Sequence, residues 1–388
     1  MLGADKNGES DLEQETNARQ TSSRKLDHIR ICMTKDVQFR QKKTGFQDIE
    51  LIHNAVPEID LKDVKTDTQF LGKKIAAPLL IVGMTGGHPI AKRINEVLAK
   101  AAQETRIGMG VGSQRAAIED PSLIESYSVV RKFAPDIPII ANLGGPQLSR
   151  GYGIKEAREA VEMIDADALA IHLNPLQEAV QKEGETNTRG ILDRISEVVS
   201  QLDFPVIAKE TGCGIAYEQA RLLSERGIRG VDVGGAGGTS WSAVEAFREQ
   251  QNPAGDGTRL GFTFRDWGIP TAASVIEVSS VGGLMVIATG GVRNGIDIAK
   301  SIAIGADLAG IGLPFLRPAY SGDLESLVSE IKKIIRELRT AMYLTGCGKV
   351  EDLAKSSNLV IRGELAEWLR ARGFESKDLA RRQMHIHQ

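Results

Sequence analysis

Eight short apolar runs between residues 79 and 312 constrain the fold of this chain more than any other feature of its sequence. They occupy residues 79–83, 107–112, 137–143, 168–173, 206–209, 230–234, 284–288 and 308–312. Each run is bounded by Gly or Pro and is apolar at both odd and even positions. That pattern is typical of strands covered on both faces, so the runs predict eight buried strands.

The segments between the runs have helical spacing. Ile94, Val97, Leu98 and Ala101 form one apolar stripe, and residues 299–303 carry another. Strands that alternate with helices predict a parallel sheet with crossover helices. Eight such units are the number that closes a (β/α)8 TIM barrel, an α/β fold. A doubly wound open sheet of six or seven strands is the structural alternative.

Composition excludes several classes of protein. The chain has 48 basic and 51 acidic side chains, whereas a nucleic-acid binder needs a basic face. No segment approaches the ~20 apolar residues that span a bilayer. Three scattered cysteines, Cys32, Cys213 and Cys347, fit neither a disulfide framework nor a zinc cluster and indicate a reducing compartment. Residues 1–20 lack the apolar core of a signal peptide, so we expect a cytoplasmic protein.

The remaining segments predict additions to the barrel. Residues 1–22 are acid-rich and predict a disordered tail. The long interval between the sixth and seventh runs contains a polar turn at 252–258, which favours an active-site cover. We expect a closing helix over 324–338, two short helical stretches within 350–382, and a frayed end whose His385 and His387 bind no metal.

Polar side chains follow the predicted strands at their carboxyl ends. Because the βα loops of a barrel all open on one face, these side chains are expected to meet there. Helix capping explains single Asn, Ser or Thr residues. It does not explain why Arg115, His172, Gln177, Glu178 and Lys209 all emerge at one rim.

Two features at this rim suit an anionic ligand. The turn 290–295 precedes a helix and Gly312 follows the next strand, which is the layout of a barrel phosphate site, although the glycines also suit a tight turn. Lys209 would lie beside a cofactor ring or an anionic intermediate, or pair with Glu210 or another carboxylate. Arg24 and Lys25, upstream of the barrel, suit phosphate oxygens, although a basic pair at a helix start is usually solvated.

The stretch from His172 to Glu178 combines an acid or base, two amides and a carboxylate. Glu178 suits Mg²⁺, which takes one or two carboxylates together with phosphate and water oxygens. No second His or Cys stands at zinc-ligand spacing. The sequence also lacks a Gly-x-Ser-x-Gly elbow, a CxxC pair and a P-loop. The chain therefore lacks the catalytic motifs of the corresponding hydrolases and nucleoside triphosphatases.

The motifs together resemble one family. They are RKLDH at 24–28, MTGG at 84–87, GSQR at 112–115, HLNPLQEAVQKEGETNTRG at 172–190, KETG at 209–212, GGAGGTSW at 234–241, DWGIPT at 266–271 and GGVRNG at 290–295. Over residues 24–369 the chain is similar to the type 2, flavin-dependent isopentenyl-diphosphate delta-isomerases. The resemblance implies a single FMN-binding TIM-barrel domain over 23–388 that forms a homo-oligomer, a tetramer or octamer. It implies interconversion of isopentenyl and dimethylallyl diphosphate in isoprenoid biosynthesis, with reduced FMN, Mg²⁺, and NADPH to reduce the flavin.

The resemblance also assigns residues. Flavin contacts fall on Met84, Thr85, Gly86, Ser113, Asn142, Lys209 and Thr239, and flavin phosphate contacts on Gly291, Val292, Arg293, Gly312 and Leu313. Diphosphate contacts fall on Arg24, Lys25, His28, Ser113, Gln114 and Arg115, and contacts to the isoprene unit on His172, Asn174 and Gln177. Trp241 and Glu245 match positions near the substrate or its metal, and Glu178 is the metal ligand. His172, Gln177 and Lys209 are the candidate catalytic residues, although flavin N5 suits proton transfer better than an amide does.

Three other functions stay open at this point. A 2-hydroxy-acid oxidase needs a His base near an Arg pair, whereas residues 174–178 are an amide–carboxylate cluster that favours an isomerase. An inosinate-dehydrogenase-like barrel needs a nucleophilic cysteine, for which Cys213 is the candidate, although a small buried residue is the commoner role. A binding scaffold without catalysis would bind flavin and show no turnover.

Overall fold

The computed structural model describes residues 24–250, 257–356 and 358–375. Before the barrel come helix α1 (24–34), strand β1 (Ile49–Leu51) and the hairpin strands β2 (Thr68–Phe70) and β3 (Lys73–Ile75). The predicted acidic tail, most of the polar turn at 252–258, and His385 and His387 lie outside the described residues.

The predicted barrel is confirmed. Its strands are β4 (Leu79–Ile81), β5 (Gly108–Gly110), β6 (Ile139–Gly144), β7 (Ala168–Leu173), β8 (Val206–Glu210), β9 (Gly230–Asp232), β10 (Met285–Ala288) and β11 (Leu308–Ile311). Each runs parallel to its neighbours, and β11 pairs with β4, with Ala309 opposite Leu79. That last pairing closes the sheet and rules out the open-sheet alternative.

Helices connect the strands and pack around them. They include α2 (Pro89–Thr105), α4 (Glu125–Phe133), α6 (Ile154–Met163), α8 (Ile191–Val199), α9 (Tyr217–Glu225), α12 (Thr271–Ser279), α13 (Gly295–Ala303) and α15 (Leu324–Leu344). Further helices are α3 (Arg115–Glu119), α5 (Gly145–Ser149), α7 (Pro175–Val180), α10 (Trp241–Glu249), α11 (Gly257–Thr263) and α14 (Leu313–Ser321). Helix α2 shows why such a segment forms a helix that packs on the barrel. Pro89 suits its first turn, and Ile94, Leu98 and Ala101 of the predicted apolar stripe are buried.

The amino-terminal end of the barrel is filled by apolar side chains. Phe70 and Ile75 of the β2–β3 hairpin pack against Leu80, Ile140 and Ile207 from the barrel strands. Since this end is closed by packing, the carboxyl-terminal end is where a ligand has room to enter.

The segment after the barrel differs in part from the prediction. The closing helix α15 extends to Leu344, beyond the predicted end at 338, and α16 (Val350–Lys355) and α17 (Gly363–Ala371) are the two expected short helices. Between them lies an unpredicted strand, β12 (Leu359–Ile361), which pairs antiparallel with β1. Within the described residues, no helix combines the length and apolar character needed to cross a membrane.

A strap over residues 36–46 crosses the barrel mouth and brings α1 to the site. Phe39 N donates to Gly238 O (3.0 Å) and Ser240 N donates to Val37 O (2.8 Å). Asp266 Oδ1 accepts the backbone N–H groups of residues 40, 41 and 42. The long interval predicted as a cover therefore contains α10, α11 and a turn that fastens this strap.

Candidate active site at the barrel mouth

A cavity of ≈ 270 Å³ opens at the carboxyl ends of the barrel strands, and α1 forms part of its wall. The predicted site residues that line it are Arg24, Lys25, His28, Met84, Thr85, Ser113, Arg115, Asn142, His172, Asn174, Gln177, Glu178, Lys209, Thr239, Trp241, Gly291, Arg293, Gly312 and Leu313. Residues from α1 and from all eight strand ends thus meet in one place, as the parallel-barrel argument requires.

Four predicted site residues, Gly86, Gln114, Glu245 and Val292, do not line the cavity. The Gln114 side chain is fully buried, where Nε2 donates to Ala160 O (2.7 Å) and Oε1 accepts from Asn142 N (2.9 Å). It therefore joins β5, β6 and α6, and its amide is not free for a diphosphate. A Cβ at Gly86 would lie 1.9 Å from the Tyr127 ring, so packing requires this glycine. Val292 is fully buried, which leaves its backbone as the part able to serve a ligand.

The glycines after β10 and β11 form a cradle with room only for backbone. A Cβ at Gly312 would lie 2.9 Å from Val82, and Gly291 adopts a left-handed φ of +84°. The N–H groups of Gly291, Val292 and Gly312 donate to no acceptor in the described part of the chain. Such N–H groups at a helix start favour a phosphate.

Arg293 supplies the positive charge beside this cradle. It donates to Gln38 Oε1 (2.9 Å) of the strap and to its neighbour's carbonyl, and among the described residues no carboxylate pairs with its guanidinium. Burial lowers the pKa of Arg293 from its ordinary value. A half-buried cation next to unpaired N–H groups fits the phosphate of a flavin mononucleotide.

Lys209 at the end of β8 has a buried carboxylate partner. Its Nζ donates to Asp232 Oδ2 (2.7 Å), and the other oxygen of Asp232 accepts the hydroxyl of Thr289. The predicted partner is therefore another carboxylate and not Glu210. The Glu210 carboxylate instead accepts backbone N–H groups from residues 212–214, and burial raises its pKa to about 7.

His172 is held as a neutral ring. Its Nδ1 lies 2.9 Å from Asn142 Oδ1, an oxygen that only accepts, so Nδ1 carries the proton. Burial, followed by the nearby Lys209 and Lys25, lowers the pKa of His172 to about 4. At neutral pH this histidine therefore contributes a fixed polar edge and no charge.

The cluster that begins at Asn174 is joined by hydrogen bonds. Asn174 Nδ2 donates to Glu178 Oε1 (2.8 Å) and Gln177 Oε1 (3.1 Å), and Gln177 Nε2 donates to Glu245 Oε1 (2.8 Å). Asn174 is 4 % exposed, yet its Oδ1 has no partner among the described residues. An orphaned buried acceptor is costly, so this oxygen indicates a ligand at the cavity wall.

Glu245 on α10 is the buried anion that organises this wall. It is fully buried, and Arg248 Nε donates to Oε2 (2.8 Å) while His28 Nε2 lies 2.9 Å from Oε1. Gln181, with its amide oriented to satisfy both neighbours, donates to Glu245 Oε1 (3.2 Å) and accepts from Arg24 Nη1 (3.0 Å). Burial opposes ionisation of Glu245, but His28, Arg248 and Gln177 outweigh it and hold its pKa at about 2.

Cations from α1 and α3 converge on the same mouth. Lys25 Nζ donates to Ser113 O (2.8 Å) and to the Tyr127 hydroxyl, and burial together with the Arg24 charge lowers its pKa to about 7. Arg115 forms ion pairs through Nε and Nη1. Positive charges gathered around a cavity favour a polyanion, because the bound anion offsets the repulsion among the cations.

Several residues of the site escaped sequence reasoning. Tyr127, Gln147, Gln181, Glu185 and Asp232 hold or line the site, and none was predicted to do so. Asp232 had a usable signal, because a carboxylate inside an apolar run must have a buried partner. Gln181 and Glu185 lie within the 172–190 motif, but no spacing rule assigns either of them a role.

Three comparisons with known proteins agree with this geometry. The model of the FMN-dependent dehydrogenase family matches residues 17–122 and 156–360. The chain is 50% identical over 360 residues to an isopentenyl-diphosphate delta-isomerase of Methanosarcina mazei, covering 93% of this chain and 97% of that protein. It is 49% identical over 353 residues to the protein of that name from Archaeoglobus fulgidus, covering 91% and 99%. Among solved structures, a flavocytochrome b2 variant with sulfite bound is similar in fold (TM-score 0.63, 18% identity, covering 94% of this chain and 91% of that chain).

Proposed function

Because this chain belongs to the FMN-dependent dehydrogenase family and, within it, to the isopentenyl-diphosphate delta-isomerases, we propose that it interconverts isopentenyl and dimethylallyl diphosphate at the barrel mouth. The observation that carries this proposal is the meeting of three features in one cavity. They are a phosphate cradle, a group of cations, and an amide–carboxylate cluster fixed by a buried anion.

The residues present fit FMN. The N–H groups of Gly291, Val292 and Gly312, with Arg293, hold its phosphate, and Lys209 places a positive charge in the same cavity. Bound in its reduced form, FMN would supply an electron-rich ring and an exchangeable proton. The Lys209 ammonium, kept in place by Asp232, would stabilise negative charge on that cofactor.

The substrate's charged end is bound by cations and a metal. Arg24, Lys25 and Arg115 bind the diphosphate, and Glu178 holds Mg²⁺. Glu178 fits the metal because each oxygen accepts one hydrogen bond, from Asn174 and from the Glu185 N–H, and so keeps a free lone pair. Pinning the diphosphate fixes the position of the reacting carbons.

The uncharged end of the substrate meets His172, Asn174 and Gln177. Gln177 is held at both ends of its amide, by Asn174 and by Glu245, and His172 is held by Asn142. These neutral groups orient the hydrocarbon and exclude water. An amide is a poor base, so we assign Gln177 to orientation of the substrate. Flavin N5 is the better candidate for proton transfer.

Two rival functions have less support. Oxidation of a 2-hydroxy acid needs a histidine that acts as a base. In this chain amides and Lys209 surround His172, and the pKa of His172 is lowered to about 4. Burial, followed by Glu210, raises the pKa of the Cys213 thiol, which opposes a nucleophilic role. The likeness to flavocytochrome b2 is one of fold alone.

The proposal includes finer points that rest on the family resemblance. NADPH reduces the flavin, the active form is a homo-oligomer, a tetramer or octamer, and the cytoplasm is the location; these stay predictions. The whole proposal is tested by purifying the protein, recording its visible spectrum, and assaying the reduced form with isopentenyl diphosphate and, separately, the oxidised form with lactate and mandelate. Dimethylallyl diphosphate without hydroxy-acid oxidation supports it, and flavin reduction by a hydroxy acid with no isomer formed contradicts it.

A further inference from the structure

Arg115, which the proposed function assigns to the diphosphate, is paired with two carboxylates. Its Nε contacts Glu119 Oε1 at 2.6 Å, and its Nη1 contacts Glu185 Oε1 at 2.8 Å. The two partners differ in position. Glu185 lines the cavity, whereas Glu119 lies on α3 outside the lining.

Glu185 is held on several sides. Its side chain is 9 % exposed, and the same Oε1 that contacts Arg115 also contacts Arg150 Nη1 at 2.9 Å. Its other oxygen accepts from Gln147 Nε2 (3.3 Å), and its backbone N–H donates to Glu178 (2.7 Å). Glu185 therefore links the Arg115 guanidinium to the residue proposed to hold the metal.

We propose that Glu185 is a positioning residue that competes with the diphosphate for Arg115. It holds the guanidinium at the cavity wall, and the incoming diphosphate replaces it at Nη1. This inference rests on the proposed function, because it takes Arg115 as a diphosphate contact. By this competition, Glu185 lowers the affinity of the site for its diphosphate substrate.

Electrostatics makes the exchange necessary. A carboxylate and a diphosphate at the same guanidinium edge repel each other, because both are anions and little water separates them. The diphosphate therefore gains the whole Arg115 contact only when Glu185 moves away.

The surrounding residues make the exchange feasible. Removing one partner of a buried ion pair is costly when the other charge is left alone. Here Glu185 keeps Arg150 and Gln147 after it leaves Arg115, and Arg115 keeps Glu119. Arg150 is 59 % exposed in its side chain, so it is free to follow the carboxylate outward.

The test uses the flavin-loaded enzyme and inorganic pyrophosphate as the probe. Glu185→Gln keeps the shape and an accepting oxygen for Arg115 but removes the competing charge. We expect the dissociation constant for pyrophosphate, measured by calorimetry at fixed Mg²⁺, to fall about tenfold, the effect of ~1.4 kcal/mol. We expect the KM for isopentenyl diphosphate to fall with it while kcat does not rise, because the added binding is uniform.

Two comparisons make the test specific. Glu119→Gln removes the other carboxylate that pairs with Arg115, which lies outside the cavity lining. We expect it to change the pyrophosphate dissociation constant less than Glu185→Gln does. In an Arg115→Ala background, Glu185→Gln should lose most of its effect, because the two residues act as a pair. Flavin absorbance and thermal melting of each variant confirm that it folds.

Three results would overturn the inference: unchanged or weaker pyrophosphate binding by Glu185→Gln, equal tightening by Glu119→Gln, or full tightening without Arg115. Pyrophosphate binding needs no turnover. A chain that tightens on pyrophosphate as expected but fails to isomerise would contradict the proposed function and leave the exchange at Arg115 standing.

Discussion

Glu245→Gln tests whether a buried anion stabilises the wall of the active site. Glu245 is fully buried, and its pKa is held at about 2 against an ordinary value of 4.5. A difference of about 2.5 units, at 1.36 kcal/mol per unit, corresponds to about 3 kcal/mol of folding free energy at neutral pH. Glutamine removes this contribution and leaves Arg248 with Glu183 as its remaining carboxylate partner (2.7 Å).

The pH dependence gives the expected effect a sign. The folded-state pKa of Glu245 is depressed, so its stabilisation is complete above the unfolded value of 4.5 and declines as pH falls toward 2. Urea unfolding at saturating FMN should therefore show a loss of about 3 kcal/mol in Glu245→Gln at pH 7 and about half that loss near pH 3.

A surface variant provides the control. Glu330→Gln on α15 removes an exposed pair with Lys333 (3.6 Å), and such pairs contribute at most about 1 kcal/mol. If Glu245→Gln costs no more than Glu330→Gln at pH 7, or if its cost grows as pH falls, the reasoning about the buried anion is wrong.

Other variants test the metal, the substrate's charged end and the flavin. Glu178→Gln should lower activity and raise the Mg²⁺ concentration needed for half-maximal rate about tenfold or more, with the flavin spectrum unchanged; a fully active variant removes the metal assignment. Replacing Arg24 and Lys25 with Ala should raise the KM for isopentenyl diphosphate by about a hundredfold, since each charge-assisted hydrogen bond contributes about 1.5–3 kcal/mol; unchanged kinetics would place α1 outside the site. Asp232→Asn leaves the Lys209 ammonium without its counter-charge, so the reduction potential of bound FMN, measured by equilibration with a reference dye, should rise; a fall would contradict the assigned role of the pair.

The barrel was predictable because its signal is local. Each strand is a short run apolar on both faces, and all eight runs became strands whose closure follows from their number. The pairing of β1 with β12 had no such signal. Those strands have three residues each and lie near opposite ends of the chain, so only the folded barrel brings them together.

The contents of the site were predictable to the extent that strand ends converge. His172, Glu178 and Lys209 line the cavity because parallel strands end on one face. Side-chain direction was not predictable: Gln114 follows Ser113 in the same motif, yet its amide turns into the protein toward α6. Partners such as Asp232 come from a different strand, and sequence spacing does not encode that distance.

In the proposed reaction, protons move in this cavity while no electrons are transferred overall. The most direct test is to incubate the reduced, flavin-loaded enzyme with isopentenyl diphosphate in deuterated water, and to count deuterium in the products and NADPH consumed. We expect dimethylallyl diphosphate that carries deuterium, with NADPH consumption fixed by the amount of flavin and independent of the amount of product. One NADPH consumed per product molecule, or turnover by a colourless preparation without FMN, would contradict the account.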